Sequence, residues 1–68
     1  MDHIYKHIEL TGSSTESSDQ AIQNAIAKAA TSVKYMQWFN VVDTRGNIEE
    51  GVVKYWQVTI KVGFRLKD

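Results

Sequence analysis

The sequence predicts an α+β fold in the order strand, helix, strand, strand, with a three-stranded sheet in the order first, third, second wrapped around the single helix. Three observations carry this. Along residues 52–66 every second residue from Trp56 is apolar (Trp56, Val58, Ile60, Val62, Phe64, Leu66), and Tyr55, Gln57, Thr59, Lys61, Gly63 and Arg65 intervene, the period of a strand that buries one face. Ile22, Ala25, Ile26, Ala29, Ala30 and Val33 recur at the spacing of an amphipathic helix. A helical crossover between the first two strands implies that they run parallel, so the last strand lies between them, antiparallel to both.

The first strand is expected over residues 3–11. Ile4, Ile8 and Leu10 share one face, interrupted by Lys6, and His3, Tyr5, His7 and Glu9 share the other. Residues 11–18 form a polar break. Within it, Ser17 followed by Gln20 has the form of a capping box, and Glu16 and Asp19 place negative charge where the helix dipole favours it. The helix is expected over residues 18–35. Half of its apolar stripe is alanine, so it can approach the sheet closely, and it covers one side only.

The second strand, residues 36–43, is apolar on both faces. Phe39 and Val41 lie on one, Met36, Trp38, Asn40 and Val42 on the other, so it must be covered on two sides. It forms a hairpin with residues 52–66. A turn centred on Asn47-Ile48 sets Phe39 opposite Trp56 on the core side and Trp38 opposite Gln57 outside. Gly46-Asn47 is the better turn dipeptide and sets Trp38 opposite Tyr55. In both registers Trp38 and Gln57 share the outer face. That face also carries Tyr5, Val42 and Tyr55, an exposed apolar surface of the kind that marks an interface or ligand site.

Composition narrows the function classes. The 68 residues make one domain, residues 1–68, near the lower size limit for a self-sufficient core. There is no cysteine to staple it or to bind zinc as thiolate, and small unstapled proteins often gain stability by oligomerising. A formal net charge of zero offers nothing to neutralise a phosphate backbone, so no nucleic-acid partner is expected. No segment is apolar enough to span a membrane or to serve as a signal peptide, so no membrane partner and a cytoplasmic location are expected.

Taken singly, the polar candidates have ordinary explanations. Trp38 alone reads first as an interface anchor and second as a ligand platform. Gln57 alone is a solvated strand residue. Arg65, and Arg45 with Glu50 across the turn, are surface ion pairs of small consequence. His3, His7 and Glu9 lack a fourth metal ligand. The serines have neither a P-loop lysine nor a His-Asp partnership, so neither a metal site nor catalytic residues are assigned.

Taken together and in order, the residues resemble the dodecins, small flavin-binding proteins that assemble into hollow dodecamers. The likeness covers nearly the whole chain. It lies in Tyr5-Lys6-His7-Ile8-Glu9-Leu10-Thr11-Gly12-Ser13-Ser14, Ala21-Ile22, Trp38-Phe39-Asn40-Val41, Arg45-Gly46, Gln57-Val58 and Val62-Gly63-Phe64-Arg65-Leu66. The resemblance implies a homododecamer in which Trp38 stacks on a flavin ring and two flavins are sandwiched between two indoles across a twofold axis. It implies that Gln57 hydrogen-bonds the polar edge of the ring and that Arg45 and Arg65 meet phosphate. FMN is therefore the expected flavin, with riboflavin and FAD as alternatives. Coenzyme A, carried on the shell by some bacterial relatives, is a further ligand so implied.

Two residues depart from the family pattern: Asn40 stands where many relatives have Glu, and Trp56 where Tyr or Phe is usual. Strict alternation puts Arg45 on the opposite face from Trp38, so its role needs a bend or bulge near the turn. The function so implied is FMN storage or buffering with quenched photochemistry. The alternatives are a structural shell with incidental ligands and, less favoured because no acid–base pair surrounds the site, a flavoenzyme.

Overall fold

The computed structural model describes residues 2–67. The elements run β1 (Tyr5–Ser14), α1 (Ser18–Ala29), β2 (Met36–Glu49) and β3 (Val52–Arg65). They form one sheet in the order β1-β3-β2, antiparallel at both pairings, as expected. Among the described residues no helix is long and apolar enough to cross a membrane.

Element ends differ from expectation for identifiable reasons. β1 runs on through residues 11–14, because β3 is long enough to pair with them: Ser13 faces Gln57 and Ser14 faces Trp56. Cross-strand pairing here overrides the turn preference of glycine and serine. The polar break shrinks to a tight connection in which the Ser14 hydroxyl accepts from the Glu16 amide at 2.9 Å. Ser17 caps the helix, its Oγ accepting from Gln20 N at 3.0 Å. The other half of the capping box is absent: the Ser17 amide donates to Ser14 Oγ at 3.4 Å, and the Gln20 side chain turns away to donate its amide nitrogen to Asn24 Oδ1 at 2.9 Å.

The helix ends at Ala29, six residues before residue 35. Thr31 Oγ1 donates to the Lys28 carbonyl at 2.7 Å, a side-chain bond that competes with continuation of the helix. Ala30 is therefore an exposed cap, and Val33 lies beyond the helix.

The core is narrow. Ala21 and Ala25 of α1 meet Val58, Ile60 and Val62 of β3, Ile8, Leu10, Ile22, Ile26 and Met36 pack around them, and Ala29 is buried at the end of the helix. The alanine stripe allows a close approach, and Gly12 completes it. A Cβ at Gly12 would overlap the Ala21 carbonyl oxygen and stand 2.8 Å from Ala25 Cβ.

The hairpin register is a correction. Its turn is Glu50-Gly51, not Asn47-Ile48 or Gly46-Asn47, and both turn residues have positive φ (52° and 77°). That is the backbone of a two-residue hairpin turn whose twist matches the strands. β2 is accordingly longer than residues 36–43, and Phe39 faces Val62 where Trp56 was expected. Trp56 keeps the helix-side parity expected of it and is half-buried beside Ser14 and Gly46.

The helix packs on β1 and β3 and leaves β2 exposed beyond Met36. Phe39, Val41, Ile48, Val52 and Val53 are exposed. The hairpin projects past the helix, so the chain measures 54 × 20 × 13 Å and its radius of gyration is 14.1 Å. A compact domain of this length would have about 11 Å. The expectation that the second strand needs cover on both sides therefore stands unsatisfied within one chain.

Candidate functional site

The outer face is built from the outward set of β3 and its neighbours in register. Gly63 lies between His7 of β1 and Trp38 of β2, Lys61 between Glu9 and Asn40, Thr59 between Thr11 and Asp43, and Gln57 between Ser13 and Arg45. The polar rows are tied across the strands, with Thr11 and Thr59 hydroxyls 2.7 Å apart.

Trp38 reaches this face through an irregularity. The pairing shifts between Met36 and Trp38, so Gln37 is an extra residue and the two flanking side chains fall on opposite sides. Met36, expected beside Trp38, packs instead into the core. The indole lies across Gly63, where a Cβ would overlap Cε2 and Cζ2 of the ring. Tyr5 tilts against it (centroids 5.1 Å, 59° between planes), and His7 meets it edge to face at 6.0 Å and 80°. Trp38 nevertheless keeps 39% of its surface exposed, a large apolar plane held firmly and left uncovered.

Arg65 belongs to the same end. It pairs with Tyr5 in register, its guanidinium carbon stands 5.6 Å over the Tyr35 ring, and its amide donates to the Tyr35 carbonyl at 3.0 Å. Tyr35 holds this position with φ at 65°, an unusual backbone for an aromatic residue.

Gln57 and Arg45 form a second cluster. A second shift, between Val41 and Asp43, makes Val42 the extra residue and returns Asp43 and Arg45 to the outer face. The bulge that strict alternation demanded for Arg45 exists, but in mid-strand and well before the turn. Arg45 Nε donates to Gln57 Oε1 at 3.0 Å, and Nη1 donates to Asp43 Oδ2 at 2.9 Å and Thr59 Oγ1 at 3.4 Å. Its ion pair is thus with Asp43 rather than across the turn with Glu50. Beyond Gln57 opens a polar cleft of about 580 Å³, lined in part by Ser13, Glu16, Asn24 and Tyr55.

Trp38 and Gln57 share the outer face as expected, but they are not neighbours. Trp38 sits at Gly63 and Gln57 lies six residues along β3, about 20 Å at roughly 3.3 Å per residue. One chain presents an aromatic end (Trp38, Tyr5, His7, Arg65) and a polar end (Gln57, Arg45, Asp43). A single ring system is too short to touch both ends of one chain.

Sequence reasoning missed Gly63, His7 and Asp43 as parts of these clusters. Gly63 carried a legible signal, since glycine inside a strand marks a close approach.

Comparison with known proteins adds the following. A family model described as Dodecin matches residues 4–67. A dodecin of Thermus thermophilus is 44% identical over 68 residues, spanning all of this chain and 99% of the relative. The structure of a dodecin from Streptomyces davaonensis superposes with a TM-score of 0.95 at 43% identity over the whole of both chains. That of a dodecin from Streptomyces coelicolor gives 0.93 at 42% identity over 98% of this chain and 96% of the other.

Proposed function

The chain belongs to the dodecin family, and from that membership we propose that it is a flavin-binding protein, not an enzyme, that sequesters FMN between copies of itself. The observation that carries this reading is the seat of Trp38. The indole is fixed over Gly63, braced by Tyr5 and His7, and still exposes a flat apolar face. A planar aromatic ring system fits that face, and offset stacking on it contributes about 0.5–1.5 kcal/mol beyond area burial.

Trp38 would hold the ring by stacking, Gln57 of a neighbouring copy would hydrogen-bond its polar edge, and Arg65 would meet the phosphate. The separation of the two clusters supports a site shared between copies. The bound flavin supplies a photoactive, redox-active ring; the protein's part is to bury it and pair it with an indole. The resemblance supports a homododecamer, and the bare β2 strand with its exposed Phe39, Val41 and Ile48 supports assembly of some kind.

Those same residues favour a second reading, a structural shell whose ligands are incidental. A fluorescence titration separates the two. FMN and riboflavin are titrated into the apo-protein and into Trp38→Ala, with the mass of each measured in solution. Saturable quenching that disappears in a variant of unchanged mass supports the flavin reading, and quenching absent from both proteins leaves the shell. Coenzyme A, as a ligand held elsewhere on the assembly, is expected to leave the flavin titration unchanged.

A further inference from the structure

The polar end of the outer face is a relay: Asp43 holds Arg45, and Arg45 holds Gln57. We propose that Arg45 is a positioning residue for Gln57, fixing its carboxamide so that the NH2 group, and not the carbonyl oxygen, is offered to the ligand. This deepens the flavin-binding reading and rests on it.

The argument is one of donors and acceptors. A guanidinium carries only donors, so whatever part of Gln57 faces Arg45 Nε must be the carbonyl oxygen. That contact is 3.0 Å between Arg45 Nε and Gln57 Oε1. With the oxygen engaged, the two N–H groups of Gln57 are directed elsewhere; a carboxamide otherwise presents either end. A ligand edge rich in carbonyl oxygens or ring nitrogens is matched by donors, and an edge of N–H groups is not.

Arg45 is itself restrained. Its Nη1 is held by the Asp43 carboxylate at 2.9 Å and lies 3.4 Å from Thr59 Oγ1. The bulge at Val42 is what makes the relay possible, because without the extra residue Asp43 and Arg45 would face the helix side. An arginine so engaged has its Nε and Nη1 on protein partners, which separates it from Arg65, whose guanidinium stands over Tyr35 without an ion-pair partner among the described residues.

The role predicts a ratio rather than a mere loss. Arg45→Ala should weaken FMN and riboflavin by the same factor, about fivefold, the worth of one oriented hydrogen bond. Asp43→Asn should weaken both by a smaller common factor, and Gln57→Glu, which keeps a partner for Arg45 but offers the ligand an acceptor, should weaken both by more. The mass of each variant in solution is measured alongside, so that lost assembly is not read as lost orientation. A loss confined to FMN in Arg45→Ala would make Arg45 a phosphate ligand and overturn the proposal, as would unchanged binding of both flavins.

A ligand-free readout keeps this apart from the flavin reading. In a crystal structure of flavin-free Arg45→Ala, the Gln57 carboxamide should rotate or split between conformers. If it stays in place the proposal fails, even where flavin binds. If it moves but the unsubstituted protein binds neither flavin, the flavin reading fails alone.

Discussion

The indole of Trp38 on β2 rests on Gly63 of β3, with Cε2 and Cζ2 occupying the space of the missing Cβ. The aromatic end of the outer face exists because one strand residue has no side chain. Gly63→Ala should therefore displace the ring, with a loss of about 1–3 kcal/mol, the usual cost of overpacking. The same substitution in a Trp38→Ala background should cost much less. Urea unfolding of the four proteins checks the coupling, and equal costs in both backgrounds would show that Gly63 serves something other than the indole.

Gly12 makes the corresponding close approach inside the fold. A Cβ there would meet the Ala21 carbonyl oxygen, which is backbone and cannot rotate away, before it met the Ala25 side chain. Gly12→Ala should destabilise the protein by more than about 2 kcal/mol, and Ala25→Gly should not rescue it. Recovery of the midpoint in the double variant would place the conflict at Ala25 instead.

How much of this was legible in the sequence follows from which physics decides each feature. The alternation of residues 56–66 marked the buried face of β3, and the alanine-rich stripe marked α1 as far as Ala29, because burial fixes periodicity; Ala30 and Val33 of the same stripe lie at and beyond the helix end. The register did not follow, because one inserted residue reverses every later side chain, and β2 carries two such residues, Gln37 and Val42. Val42 moved Arg45 to the face of Gln57, whereas Gln37 separated Met36 from Trp38. Nothing local to either residue announces a bulge. The turn was misplaced because Gly46 and Asn47 carry the stronger dipeptide signal, while strand pairing continues through them to Glu49.

The true turn makes a prediction of its own. Glu50 adopts φ of 52°, a conformation that asparagine and glycine tolerate better than glutamate. Glu50→Asn should raise stability by about 0.5–1 kcal/mol, whereas Asn47→Ala, in the paired end of β2 opposite Tyr55, should raise nothing. Thermal unfolding of the two variants decides it. A gain at residue 47 with none at residue 50 would restore the shorter hairpin.

Arg65 is the arginine that the proposed function assigns to the phosphate. Its guanidinium lies over Tyr35 and beside the aromatic end, with no ion-pair partner among the described residues. Arg65→Ala should lower FMN affinity about tenfold, within the range for a hydrogen bond to a charged group, and leave riboflavin unchanged. Parallel titrations read this directly. An equal loss for both flavins would mean that Arg65 supports Trp38 through Tyr35 and Tyr5 and does not meet the phosphate.

The bare second strand sets the last prediction. Phe39 faces Val62 on the helix side and lines a small hollow with Ile26 of α1, yet 43% of its surface remains exposed. A partner copy that fills this gap removes an aromatic side chain from water, and a charge placed there would have to be desolvated with it. Phe39→Asp should therefore disrupt assembly far more than it disturbs the single chain. Sedimentation velocity should show a smaller species that retains its far-ultraviolet circular dichroism. If Phe39→Asp instead sediments like the unsubstituted protein, the helix-side face of β2 stays open in the assembly, and contacts between copies must be made by the outer face and the projecting hairpin.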